Sequence, residues 1–200
     1  MIDSRFYQAL GPVTVRALAR SAEIGGDANQ LVSAAAPADL AGPGDLCYYE
    51  AKAKGALALK TAPAACIIAP AMAHLAPNAA ALILSDRPRF TFAQIVPQLA
   101  QPRRFVVGSA IDPSARLEAG VRIGPGVVIG PGAQIGADCE IGPNVVIGPG
   151  VALGRRCQVG AGVSLAFALI GDDVIILAGA VIGEQGFGVV GDSAGLLDMP

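Results

Sequence analysis

The chain has 200 residues, 15% of them charged and 53% hydrophobic, with a formal net charge of −2 at pH 7. That balance excludes intrinsic disorder and leaves ample apolar material for a core. With 14 Lys+Arg and no basic block, it also argues against a nucleic-acid partner.

Glycine and charge both divide the sequence at Ile111. Seven of the 26 glycines precede it and 19 follow, and the net charge is +3 before it and −5 after. The opening MIDSRFYQ has no hydrophobic signal region, so secretion is not indicated. Thr14 is placed to cap a short helix over 15–22, with Val15, Leu18, Ala19 and Ala22 at i, i+3, i+4 and i+7. A second helix is expected over 50–61, weakened by Gly55. The charge-free run 61–85 could span a bilayer on length alone. Pro63, Pro70 and Pro77 interrupt it, with His74 and Asn78 also inside, so we expect buried strands and turns of a soluble domain. Short strands are expected at 66–68 and 82–84, and a third helix at 90–99, opened by Arg87-Pro88-Arg89 and broken at Pro97. This alternation predicts a small α/β domain over 1–104, with Gln101-Pro102-Arg103-Arg104 as linker. Four cysteines without an export signal or a CxxC spacing suggest reduced thiols rather than disulfides or a metal site.

From Ile111 an aliphatic residue returns every six positions: Ile111, Leu117, Ile123, Ile129, Ile135, Ile141, Ile147, Leu153, Val159 and Leu165. After one five-residue step the series resumes at Ile170, Ile176 and Ile182. Glycine follows most anchors, and a second small or aliphatic residue stands four positions after each, as at Val127, Cys139, Val145 and Cys157. Neither a helical period nor simple alternation gives this spacing, and a fixed short period means a solenoid. Anchor and i+4 residues are expected to face inward, with the glycines supplying corner angles. A lone coil cannot offset its ordering entropy, so neighbouring coils must share packing. The sequence ends in GVVGDSAGLLDMP with no helical capping pattern, and we expect it to be the front part of a longer protein.

The hexads resemble the hexapeptide repeat of left-handed parallel β-helix proteins, which implies such a solenoid over 105–200, with the handedness taken from the resemblance alone. The whole order resembles the UDP-3-O-(3-hydroxyacyl)glucosamine N-acyltransferases of lipid A biosynthesis. Ser4-Arg5-Phe6 with Gly11-Pro12-Val13-Thr14-Val15, Gly42-Pro43-Gly44-Asp45-Leu46-Cys47-Tyr48-Tyr49, Ala64-Ala65-Cys66-Ile67-Ile68, and Ile182-Gly183-Glu184-Gln185-Gly186-Phe187-Gly188 carry that resemblance.

The resemblance implies that the N-terminal domain binds uridine through an aromatic, an Asn and a Tyr at three-residue spacing. Tyr48 matches the aromatic, but Ala51 and Lys54 stand at the other two positions, so one contact of three is kept. Tyr49 is a substitute stacking residue, and Lys52 or Lys54 could reach a phosphate. Equally, Tyr48 and Tyr49 could fill the edge of a small core. Phe187, flanked by Gly186 and Gly188, lines a groove for the acyl chain or its pantetheine arm, or else covers the coil as a loop aromatic. His74, the single histidine, lies outside the hexads and is expected on a surface loop, away from catalysis. Cys139 and Cys157, 18 residues apart, should stack in adjacent coils as small apolar filler rather than as a redox pair.

The implied activity is transfer of a 3-hydroxyacyl chain from acyl carrier protein to the 2-amino group of a UDP-3-O-acylglucosamine. A His base would deprotonate the amine and backbone donors would steady the oxyanion, but no residue of this sequence inherits the base role. The resemblance further implies a cytoplasmic homotrimer with at most peripheral membrane contact. It implies no metal or tightly bound cofactor, and a donor that carries a phosphopantetheine arm. Two alternatives stand beside it: another hexapeptide acyltransferase that uses acetyl-CoA on a nucleotide sugar, and a non-catalytic trimeric scaffold. A metal-dependent hydratase would need histidines in the coils, and the hexads hold none.

Overall fold

The computed structural model describes residues 2–50, 59–103, 108–184, 186, 188–192 and 195–198. The described residues up to Gln101 join those from Gly188 onward in one compact unit, and Pro102–Gly186 make the other.

In the first unit, Thr14 Oγ1 accepts a hydrogen bond from the Ala17 amide (3.3 Å) and so caps the helix Val15–Ala19. This helix is shorter than its apolar spacing predicts. Arg20 turns into the left-handed region (φ 53°), and the chain passes into the strand Ile24–Gly26, so sheet pairing overrides the helical pattern. Five strands form the sheet in the order Ile24–Gly26, Ala81–Leu84, Ala65–Ile68, Asp45–Tyr49, Ala34–Ala35. The last four run parallel and the Ile24–Gly26 edge is antiparallel. The two expected strands are each one residue longer than read.

Alternation sends the side chains of this sheet to two cores. Leu46, Ala65, Ile67, Ala81 and Ile83 pack with Val15, Leu18, Ile95 and Leu99 on one face. Cys47, Cys66 and Ile68 pack with Leu59 and Ala76 on the other. The helix Pro88–Ile95 starts two residues before its expected position, because proline suits a first-turn site whose amide would lack a partner. The 3-10 turn Val96–Gln98 then takes up Pro97. Of the helix expected over 50–61, residues 51–58 lie outside the described residues, and Glu50 and Leu59 to Thr61 are not helical. The charge-free run 61–85 folds as two strands and the 3-10 helix Pro70–Leu75. Among the described residues, no helix is long and apolar enough to cross a membrane. The strands Val189–Asp192 and Gly195–Asp198 form an antiparallel hairpin that lies against the helix Pro88–Ile95.

The second unit is a left-handed parallel β-helix. Two-residue strands end on the anchors and stack into three parallel sheets of four strands each, one sheet per side. Pairing runs at an offset of 18, as in Ile123 with Ile141 and Ile141 with Val159. Across the five-residue step it drops to 17, as in Leu153 with Ile170. From Ile129 to Leu165 every anchor is buried, and so are the i+4 residues from Val127 to Val163. Ile111, Leu117 and Ile123, with a stacked coil on one side only, remain partly exposed.

The corners correct one expectation. Positive φ falls three residues after the anchor, at Gly120, Gly126, Gly132, Asp138, Asn144, Gly150, Arg156 and Gly162. The glycine directly after the anchor has a different cause. A Cβ on Gly142 would stand 2.8 Å from the Ala161 amide nitrogen and the Val159 carbonyl oxygen of the following coil. Gly132 and Gly162 answer to the corner angle alone, with open space where a Cβ would stand, and Gly142 to coil clearance.

Ile141, 3% exposed, sits between Ile123 and Val159, whereas Asn144 is exposed with φ 56°. Ile141→Asp should abolish soluble folding or cost several kcal/mol, because it buries an unpaired charge between two coils. Asn144→Asp should stay within about 0.5 kcal/mol of the parent. Equal effects of the two in urea denaturation would refute the six-residue register.

Candidate functional site

Tyr48 and Tyr49 are consecutive residues of the strand Asp45–Tyr49, so the strand separates them. Tyr48 is half-buried on the helix-covered face, its ring centroid 5.0 Å from that of Phe92 with the planes tilted by 51°. Tyr49 is half-buried on the opposite face, beside the Cys47–Cys66 cluster. One base therefore cannot meet both rings. Ala51, Lys52 and Lys54 lie outside the described residues. Phe187 does too, while Gly188 is exposed immediately before the hairpin. His74 is exposed in the 3-10 helix Pro70–Leu75 of the first unit.

The solenoid carries a groove of about 460 Å³ along one side, which sequence reasoning did not single out. Its outward residues come from successive coils: Arg122, Glu140, Gln158 and Ile175, in register at the position before the anchor. The column changes from charged to amide to aliphatic along the axis. Arg122 pairs with Glu140 at one end, and Ile175 and Leu177 stand exposed at the other. The signal was in the repeat, one residue ahead of each anchor. A neighbouring corner holds a charge ladder. Arg156 makes a forked pair with Asp173 (2.7 and 2.6 Å), and the Arg155 amide donates to Asp172 (2.7 Å). The Arg156 guanidinium holds the Asp173 carboxyl below the usual carboxylate range. Both groups are exposed, so the fork adds little stability. Among the described residues, no cluster of three or more His, Cys, Asp or Glu could hold a metal ion.

All four cysteines are buried free thiols. Cys47 pairs with Cys66 across neighbouring strands of the sheet, and Cys139 and Cys157 stand one residue before the paired strands Glu140–Ile141 and Gln158–Val159 of successive coils. Cys139 Sγ donates to the Gly154 carbonyl (3.0 Å) and Cys157 Sγ to the Gly171 carbonyl (3.2 Å). The hydrogen bond with Cys47, followed by burial, pushes the Cys66 thiol up, and burial does the same for Cys139. Thiols held protonated in this way are packing groups rather than nucleophiles.

Residues 132–167 match the bacterial transferase hexapeptide profile of six repeats, in agreement with the coils. Residues 29–97 match the profile described as UDP-3-O-(3-hydroxymyristoyl) glucosamine N-acyltransferase. The coils are thus hexapeptide repeats of the kind found in bacterial transferases. Over its full length it is 46% identical to the UDP-3-O-acylglucosamine N-acyltransferase of Caulobacter sp. (strain K31), of which it covers 60%. It is 44% identical to the proteins of that name from Maricaulis maris (strain MCS10) and Methylobacterium sp. (strain 4-46), covering 61% of each. Over its full length the chain is thus similar to these UDP-3-O-acylglucosamine N-acyltransferases, and it spans about 60% of their length.

The thiols make a pH prediction. The folded-state pKa values of Cys66 and Cys139 lie above the unfolded one, so the stability these two contribute is fully present below about pH 8.5 and is lost as pH rises towards the folded value. Urea midpoints should fall between neutral pH and about pH 10, and fall less in Cys66→Ala. An equal fall in the variant would contradict this.

Proposed function

We propose that the protein to which this chain belongs is an N-acyltransferase. It transfers a 3-hydroxyacyl group from acyl carrier protein to the 2-amino group of a UDP-3-O-acylglucosamine in lipid A biosynthesis. The observation that carries this reading is the full-length match, which includes the domain ahead of the coils. A general hexapeptide acetyltransferase would account for the coils and leave residues 29–97 unexplained.

In this reading, residues 1–104 take the uridine, with Tyr48 offering a ring face, while Lys52 and Lys54 serve the diphosphate. Phe187 and Gly188 lie along the acyl or pantetheine path. The donor is the thioester of a phosphopantetheine arm, and no tightly bound cofactor is invoked. The amine attacks the thioester carbonyl, the C–N bond forms, the C–S bond breaks with release of the thiol, and a base takes the amine proton. Preorganised backbone N–H groups suit the intermediate oxyanion. We place the protein in the cytoplasm as a homotrimer, with at most peripheral membrane contact.

His74, the single histidine, is exposed in the N-terminal unit and the hexads hold none, so no histidine of the coils is available as the base. The 200-residue chain should form no amide product from 3-hydroxyacyl carrier protein and the UDP-sugar. Turnover that disappears on His74→Ala would overturn that expectation.

Uridine binding should be weak and centred on Tyr48. An Asn-type hydrogen bond missing at Ala51 costs about 1 kcal/mol or more. Calorimetric titration with UDP should show low affinity that Tyr48→Ala abolishes. Tight binding indifferent to Tyr48 would place the nucleotide elsewhere.

A further inference from the structure

The geometry points to Phe92 as a positioning residue for the nucleotide site, acting through Tyr48. This rests on the reading that uridine meets Tyr48. A tyrosine in mid-strand has a fixed backbone, but its ring plane is set only by what packs against it. Phe92 is the ring that does so, in a tilted contact of the kind aromatic pairs prefer. The tilted contact fixes the plane in which the Tyr48 ring can be offered to a nucleobase.

The contact is held from both ends. Ser85 Oγ accepts the Arg87 amide (3.0 Å) and shares a hydrogen bond with Thr91 Oγ1 (2.8 Å), which fixes the turn into the helix Pro88–Ile95. Glu50, directly after the tyrosine pair, accepts the Arg89 amide (3.2 Å) at its Oε1. The Glu50–Arg89 bond thereby ties the strand that carries Tyr48 to the helix that carries Phe92 outside the ring contact itself, while the Ser85 bonds fix where that helix begins. A buried aromatic kept only for volume would not require this clasp. A ring that must present one defined face to a ligand gains from it, because preorganisation lowers the ordering cost of binding.

The test is UDP titration by calorimetry on the whole 200-residue chain, with melting temperatures recorded in parallel. Phe92→Leu keeps an apolar side chain and removes the aromatic edge, and should weaken UDP binding by about threefold to tenfold. Phe92→Tyr should restore affinity. Ile95→Val, a buried change on the same helix, should lower the melting temperature and leave UDP affinity unchanged. If Phe92→Leu affects UDP no more than Ile95→Val while Tyr48→Ala abolishes binding, the positioning role is refuted and the uridine reading stands. If Tyr48→Ala also leaves UDP binding intact, both fail.

Discussion

Every coil of the solenoid lies directly on the backbone of the next, and that contact governs the rest of the second unit. Along the sides, amides donate across the stack, as from Val128 to the Val145 carbonyl and from Gly142 to the Val159 carbonyl. At the corners they donate back, as from Asn144 to the Pro125 carbonyl and from Gly162 to the Pro143 carbonyl. A coil sewn in both directions leaves no room for a side chain pointing along the axis where backbones meet. Hence glycine recurs after the anchor, while side chains are admitted only inward, where the column of Ile, Val and Leu fills the triangle, or outward. Gly183 meets two demands at once: its φ is 83°, and a Cβ there would fall on the Ala166 carbonyl of the preceding coil.

The anchors were legible because a six-residue period leaves no competing explanation, and the five-residue step after Leu165 could be read to the residue. The purpose of the glycines was not legible. Sequence shows that a glycine is present, but not whether φ, clearance or both require it. In the first unit, the helix from Val15 was over-read because its apolar spacing continues to Ala22, while pairing of Ile24–Gly26 ends it earlier. The two tyrosines stand out in the sequence, but their separation follows only from the alternation of the strand Asp45–Tyr49. Phe92 was passed over because its importance is a contact with a residue 44 positions away, which no local pattern encodes.

Surface chemistry on such a scaffold is written in columns. Arg122, Glu140, Gln158 and Ile175 are remote in sequence and adjacent in space, one above another at the strand spacing. One substitution per coil therefore alters the polarity of a groove gradually along its axis, without touching the anchors behind it. In the first unit the corresponding freedom is absent. Neighbouring strand residues serve opposite cores, so Tyr48 and Tyr49 are constrained by two different sets of contacts.

The five-residue step has a bearing on how such a chain can change over generations. The missing residue is absorbed in one corner, where Phe167 takes φ 45°, and the strands Leu169–Ile170, Ile175–Ile176 and Val181–Ile182 keep their inward and outward sense. A residue lost within a two-residue strand would instead turn the anchor outward and bring a surface side chain into the core. Corners are thus the joints at which length can be edited. The gene can lose or gain a codon there and still encode a stack, and coils of 17 and 18 residues can follow one another without a break in the ladder.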